Sequence, residues 1–174
     1  QTNDVIFTTD VAAITSDATF AAIDAGNFNT TFTIDGQGAL TLGGAITQGG
    51  AVTVTDADTV SFQAVTANSL LQSAGTLTTL HDDVTTSGVA GVDITASDIV
   101  LDGLNIVTTN AGVVTFNAPV NLTTGATNVD AAGTITFAST LVSSGGSALG
   151  LTLESDANID FDSTVGLGVS NELG

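Results

Sequence analysis

Apolar and polar residues alternate in short runs along this chain, and the runs repeat. Alternation is plain in Thr53–Thr55, Thr134–Phe137 and Leu151–Leu153, whereas the spacing of an amphipathic helix is absent. Four Phe-centred segments share one pattern: Val5–Val11 (VIFTTDV), Val114–Val120 (VTFNAPV), Ile135–Leu141 (ITFASTL) and Ile159–Val165 (IDFDSTV). Each has an aliphatic residue, Phe two positions later, and a further aliphatic residue beyond. Degenerate copies are Leu40–Ile46 (LTLGGAI), Val60–Thr66 (VSFQAVT), Thr78–Val84 (TTLHDDV) and Ile99–Asn105 (IVLDGLN). Aligning all eight puts Phe7, Leu42, Phe62, Leu80, Leu101, Phe116, Phe137 and Phe161 at one key position.

Most steps between copies are about 15 to 24 residues, a period that marks a solenoid. The first step is longer, so a further coil is expected around Phe20 to Phe32. Gly-rich turns separate the strands at Asp35-Gly36, Gly43-Gly44, Gly49-Gly50 and Gly145-Gly146. The pattern predicts an all-β parallel β-helix of about eight coils of roughly 20 residues, as a single domain over residues 1–174. Phe, Val, Ile and Leu are expected to stack in inward ladders, with Thr, Ser, Asn and Asp outside. The alternative is an immunoglobulin-like sandwich, which also has short strands and frequent turns. Pro119 lies inside a motif copy and is expected at a bend or edge.

Two segments, Ala132–Leu141 (AGTITFASTL) and Ala111–Leu122 (AGVVTFNAPVNL), resemble the repeats of filamentous-haemagglutinin and autotransporter-adhesin type bacterial surface proteins. The resemblance covers the second half best. It implies a right-handed parallel β-helix in an extracellular, cell-surface rod or fibre, with no catalytic residues to carry over. Neither a secretion domain nor an amphipathic cap is evident. The chain therefore reads as a slice of a longer rod or as a subunit that stacks end to end, and Gln1 at the first position reads as a processed or cut chain. The expected partners are the chain itself or neighbouring repeats, with a host surface or polysaccharide as further partners.

Charge narrows the function. The 174 residues contain no Lys or Arg against 18 Asp and Glu, a formal net charge of −18. No cation is present to displace counterions from phosphates or to grip anionic lipid, which argues against nucleic acid and membrane-surface partners. A hydrophobic fraction of 43% argues against disorder. No apolar run is long enough for a membrane-spanning helix. With no Cys, there is no disulfide and no thiolate metal site. Crowded carboxylates are expected to raise one another's pKa values in the folded state.

Candidate chemistry is sparse. His81, the only His, precedes Asp82 and Asp83, and the group reads as a polar corner or as a general base with carboxylates. The Asp pair is shared with pectin-cleaving β-helices, but the basic segments that accompany it there are missing. Asp156, Asn158, Asp160 and Asp162 resemble the opening of a calcium loop, and would share one strand face if Ile159 and Phe161 point inward. Phe161 stands where an EF-hand needs Gly. Asp56 with Asp58, and Asp93 with Asp98 and Asp102, are weaker acidic groups. Beyond calcium, no cofactor is expected. Thr doublets recur irregularly, which favours plain β-surface over an ice-ordering array. Asn29-Thr30-Thr31 and Asn121-Leu122-Thr123 match the glycosylation acceptor pattern. The expectation is a non-enzymatic structural protein, with a self-assembling filament subunit or a polysaccharide-binding or polysaccharide-cleaving β-helix as alternatives.

Overall fold

The computed structural model describes residues 4–9, 17–34, 37–144 and 149–166. Its strands build a parallel β-solenoid whose three sides are three parallel sheets. Face A holds eight strands: Val5–Thr9, Thr30–Ile34, Val52–Asp56, Leu70–Gln72, Val92–Ile94, Val114–Phe116, Ile135–Phe137 and Ile159–Phe161. Face B holds seven: Ala18–Phe20, Ala39–Leu42, Thr59–Phe62, Leu77–Leu80, Asp98–Leu101, Val120–Leu122 and Leu141–Ser143. Face C holds seven: Ile23–Gly26, Ile46–Gln48, Val65–Ala67, Val84–Thr86, Asn105–Thr108, Thr127–Ala131 and Leu151–Ser155. The chain visits A, B and C in turn, giving seven complete turns and an eighth face-A strand. That is one complete turn fewer than the count of about eight expected, because the turns average longer than the expected period: register partners on face A lie 18 to 25 residues apart, most of them 21 or more.

Every strand pair formed by the described residues is parallel and joins one coil to the next, so the sandwich is excluded. Parallel sheets are ordinarily covered on both sides and read as continuous apolar runs. Here each sheet has only its inner side covered, by the other two sheets. That is why the strands alternate, as in Val114–Phe116 with its buried, half-buried, buried pattern.

The inner side chains form ladders, and the eight key positions divide between two of them. Phe7, Phe32, Val54, Gln72, Ile94, Phe116, Phe137 and Phe161 are successive register partners on face A. Phe20, Leu42, Phe62, Leu80, Leu101 and Leu122 are successive partners on face B. The one key position read from the sequence is thus corrected to two, one on each face. Each corner of the triangle repeats the same pattern of strand, short turn and aliphatic start, so two sides look alike in sequence. The long first step is explained by Phe20 and Phe32, which belong to the two ladders. The Phe116–Phe137–Phe161 ladder is as expected, with ring centroids 5.3 and 5.4 Å apart. Phe116 and Phe137 are fully buried, while Phe161 on the last strand is 42% exposed.

Not every polar residue lies outside. Thr30, Gln48, Gln72, Thr78, Thr86, Thr108, Thr127 and Ser143 are buried. The reason is geometric. A chain turning a sharp corner cannot pair all its backbone groups within the sheets, and a buried unpaired group is costly. At the C-to-A corner, the buried Gln48 amide donates to the Ala51 carbonyl at 2.7 Å. Its carbonyl accepts from the Thr30 hydroxyl at 2.8 Å. The Thr108 hydroxyl donates to the Gly112 carbonyl and accepts from the Ala132 amide. Ser155 donates to the Asn158 carbonyl at 3.0 Å in the same role. Gly91, at φ 57°, completes the corner after Thr86, where a Cβ would collide with the Val113 backbone. Pro119 stands between strands at the A-to-B corner, as expected. Gly43-Gly44 and Gly49-Gly50 stand at the B-to-C and C-to-A corners, while Asp35-Gly36 and Gly145-Gly146 lie outside the described residues.

Candidate functional site

The B-to-C corner carries the most organised polar cluster, and it is built by the coil repeat. The residues that follow the face-B ladder in successive coils are Gln63, His81, Asp102 and Thr123. Their backbone amides donate to the preceding coil at Leu42, Phe62, Leu80 and Leu101. His81 therefore sits directly above Asp102, with Nδ1 3.1 Å from Oδ2. The other Asp102 oxygen accepts from the Thr123 hydroxyl at 2.9 Å and from the Thr124 hydroxyl. Both residues stay partly accessible, His81 at 36% and Asp102 at 29%.

The partner of His81 is thus Asp102, one coil on, rather than the adjacent Asp82 or Asp83. Asp83 instead accepts from the Asn105 backbone and side-chain amides at 2.8 and 3.0 Å. Asp82 accepts from the Asp83 backbone amide. The Asp102 carboxyl is held below its ordinary pKa. Hydrogen bonds from Thr124, Thr123 and His81 stabilise the charged form, and the His81 charge adds to them. This is opposite to the upward shift expected from carboxylate crowding. The sequence hid the pairing because it depends on a coil length of 21 residues at this point. Chemically, both hydroxyls donate to the carboxylate and not to the imidazole. A base that activates a nucleophile needs the reverse order, hydroxyl to imidazole to carboxylate.

The acidic candidates are dispersed. Asp156 and Asn158 lie in the C-to-A turn after the strand Leu151–Ser155, Asp160 is mid-strand on face A, and Asp162 follows that strand. All four are exposed, but the corner between Asp156 and Ile159 breaks the single strand that would have aligned them. Asp58, at the A-to-B corner, accepts from the Thr76 hydroxyl, whereas Asp56 ends the strand before that corner. Asp93 faces outward on face A and accepts from Asn117 at 2.8 Å. Asp98 begins a face-B strand. Asp93, Asp98 and Asp102 thus occupy three different places around one coil. Among the described residues, no three His, Cys, Asp or Glu side chains are grouped so that they could hold a metal ion.

The Thr doublets resolve into one inward and one outward residue, as at Thr30-Thr31, Thr78-Thr79 and Thr85-Thr86. The outward Thr79 and Thr85 belong to rows of outward hydroxyls that sequence reasoning missed. Thr19, Thr41, Ser61 and Thr79 are register partners on face B, and Thr47, Thr66 and Thr85 on face C. The rows continue into Val100 and Val107, which interrupt the hydroxyls. Of the two glycosylation patterns, Asn29 is exposed and accepts from the Ala51 amide, and the pattern's hydroxyl residue, Thr31, is half-buried on the outer side of face A. Asn121 lies half-buried on the outer side of face B. The exposed Phe residues, Phe28 at the first C-to-A corner and Phe161 on the last face-A strand, share no cleft. No helix of the described residues is long and apolar enough to cross a membrane.

No family model, curated protein or solved structure matches the chain.

Proposed function

We propose that this chain is a non-enzymatic structural element, a β-solenoid segment of an extracellular bacterial surface fibre, adhesin or sheath. The observation that carries the reading is the three-faced stack itself. Its polar side chains serve mainly to close corners and to cover the outer surface, and its ladders run along the axis from the first coil to the last described strand. A rod of this kind presents a long, uniform surface that scales with coil number. The His81 and Asp102 pair, the cluster among the described residues with potential chemistry, is accounted for as a corner clasp between coils. The lack of Lys and Arg also removes every cleavage site for proteases whose specificity pocket needs a cation, a useful property outside the cell. The resemblance of Ala111–Leu122 and Ala132–Leu141 to surface-protein repeats supports the same setting.

The test is immunogold electron microscopy with antibodies raised against the folded chain. Labelling of the surface or of shed fibres on intact, unpermeabilised cells is expected. Labelling that appears only after lysis would overturn the reading.

A further inference from the structure

The corner that holds the His81 and Asp102 pair also holds an Asp-Gly step, Asp102-Gly103. In such a step the backbone nitrogen after the aspartate can attack the side-chain carboxyl, and glycine, having no Cβ, hinders that approach least. Here the fold fixes the glycine. Gly103 turns the corner at φ 68°, in the left-handed region, and a Cβ there would meet the Thr124 carbonyl oxygen at 2.5 Å. Gly103 is exposed and lies between the strands, outside their ladders. The carboxyl beside it is held firmly. Its Oδ2 lies 3.1 Å from His81 Nδ1 in the preceding coil. Its Oδ1 accepts from the Thr123 hydroxyl at 2.9 Å and from the Thr124 hydroxyl, both in the following coil. These contacts keep the group ionised to lower pH than an ordinary aspartate.

We infer that Asp102-Gly103 is a latent backbone-isomerisation site, kept closed by the grip of Thr123, Thr124 and His81 on the Asp102 carboxyl. The reaction is a dehydration followed by a hydration, with water as its only co-reactant. In the acid form of Asp102 the Gly103 nitrogen bonds to Cγ, the Cγ–OH bond breaks, and water leaves with the amide proton. The product is a five-membered cyclic imide. Water then adds at one of the two imide carbonyls. Opening at Cγ restores aspartate. Opening at the main-chain carbonyl frees an α-carboxyl and routes the backbone through Cβ and Cγ, as isoaspartate. The clasp opposes ring closure twice. It favours the carboxylate, which has no hydroxyl to lose as water. Closure also removes one carboxyl oxygen, so at least one coil-to-coil contact is given up. The other acids of this corner are committed elsewhere, Asp82 to the Asp83 amide and Asp83 to the Asn105 amides, and the chain has no Lys or Arg to take their place. Isomerisation adds a backbone atom to the short corner between Leu101 and Asn105. That shifts Asp102 from His81 and from the Leu80 carbonyl, to which its amide donates at 3.0 Å. The corner is thus where an ageing coil loses register.

The inference stands on the geometry of one corner and not on the surface-fibre reading. To test it, the folded 174-residue chain is aged below its melting temperature at a series of pH values between about 4 and 7, spanning the protonation of ordinary carboxyls. Isoaspartate is then mapped on peptic peptides by enzymatic methylation of isoaspartyl carboxyls. The unaltered chain is expected to gain little at position 102. The double variant Thr123→Val with Thr124→Val should gain it several-fold faster. Both rates fall as pH rises, because only the acid form reacts. In the variant the fall should come at higher pH, since its carboxyl stays protonated further up the scale. His81→Ala, which removes one contact and leaves both hydroxyls, should move the profile the same way by less. Asn105→Ala loosens the same corner at its Asp83 contact without touching Asp102, and should change nothing at position 102. A rise with Asn105→Ala as large as in the double variant would overturn the inference, since looseness of the corner would then govern the reaction. So would equal rates in all variants, or isoaspartate forming in the unaltered chain as fast as in a free peptide of residues 98–108.

Discussion

Buried hydroxyls in this chain divide into those that close a corner and those that do not, and the difference sets their worth. Thr108 both donates to Gly112 and accepts from Ala132. Thr86, its register partner in the preceding coil, is equally buried, yet its hydroxyl has no partner among the described residues. Removing a buried hydrogen-bond partner costs about 1–3 kcal/mol, while replacing an unsatisfied hydroxyl by a methyl group can be neutral or favourable. Thr108→Val should therefore lower stability by about that amount and Thr86→Val should not, as read by paired urea melts. Asp102 gives the residue-scale pH dependence. Its folded pKa lies below the ordinary value of 3.8. Its contribution is thus fully present above about pH 4 and lost as pH falls below that value through the folded pKa. Asp102→Asn should lower the melting temperature at pH 6 and flatten its decline between about pH 4 and pH 2. An unchanged acid limb would place the acid sensitivity in other carboxylates.

At the scale of the elements, strand identity was legible and strand address was not. The alternation in Val114–Phe116 and Ile135–Phe137 marks both as strands with an inward Phe, and the structure places both Phe side chains in the core. The same pattern could not tell face A from face B, because Leu42 and Phe62 stand before a corner just as Phe116 and Phe137 do. Buried Gln48 and Thr108 were illegible for a related reason. Their burial is dictated by where a corner falls, and corner position depends on turn lengths that vary from coil to coil. The His81–Asp102 pair was missed in the same way, while the acidic run from Asp156 to Asp162 seemed aligned only because the corner inside it was unseen. Ladder membership has a measurable cost. Phe137 is fully buried between Phe116 and Phe161, so Phe137→Ala should destabilise by about 3–5 kcal/mol. Phe28→Ala, at an exposed corner residue, should cost far less. Equal losses for the two in denaturant melts would show that the ladder is not the organising contact.

For the whole molecule, one period governs shape, core and surface together. Successive strands stack about 4.8 Å apart, so seven turns make a body roughly 35 Å long. Its three outer sides carry the acidic charge, and its axis carries the apolar rows. The central claim is that each residue's neighbour is its counterpart one coil on. The chain has no Cys, so engineered pairs report this without interference. Thr115 and Thr136 are register partners on the outer side of face A, at a strand spacing that a disulfide can bridge. In the double variant Thr115→Cys with Thr136→Cys, mild oxidation of the folded chain should close an intramolecular disulfide nearly completely. Pairing Thr115→Cys with Thr79→Cys, on a different face, should give none. Absence of the first cross-link, or equal cross-linking of the two pairs, would contradict the stacked-coil register on which the account depends.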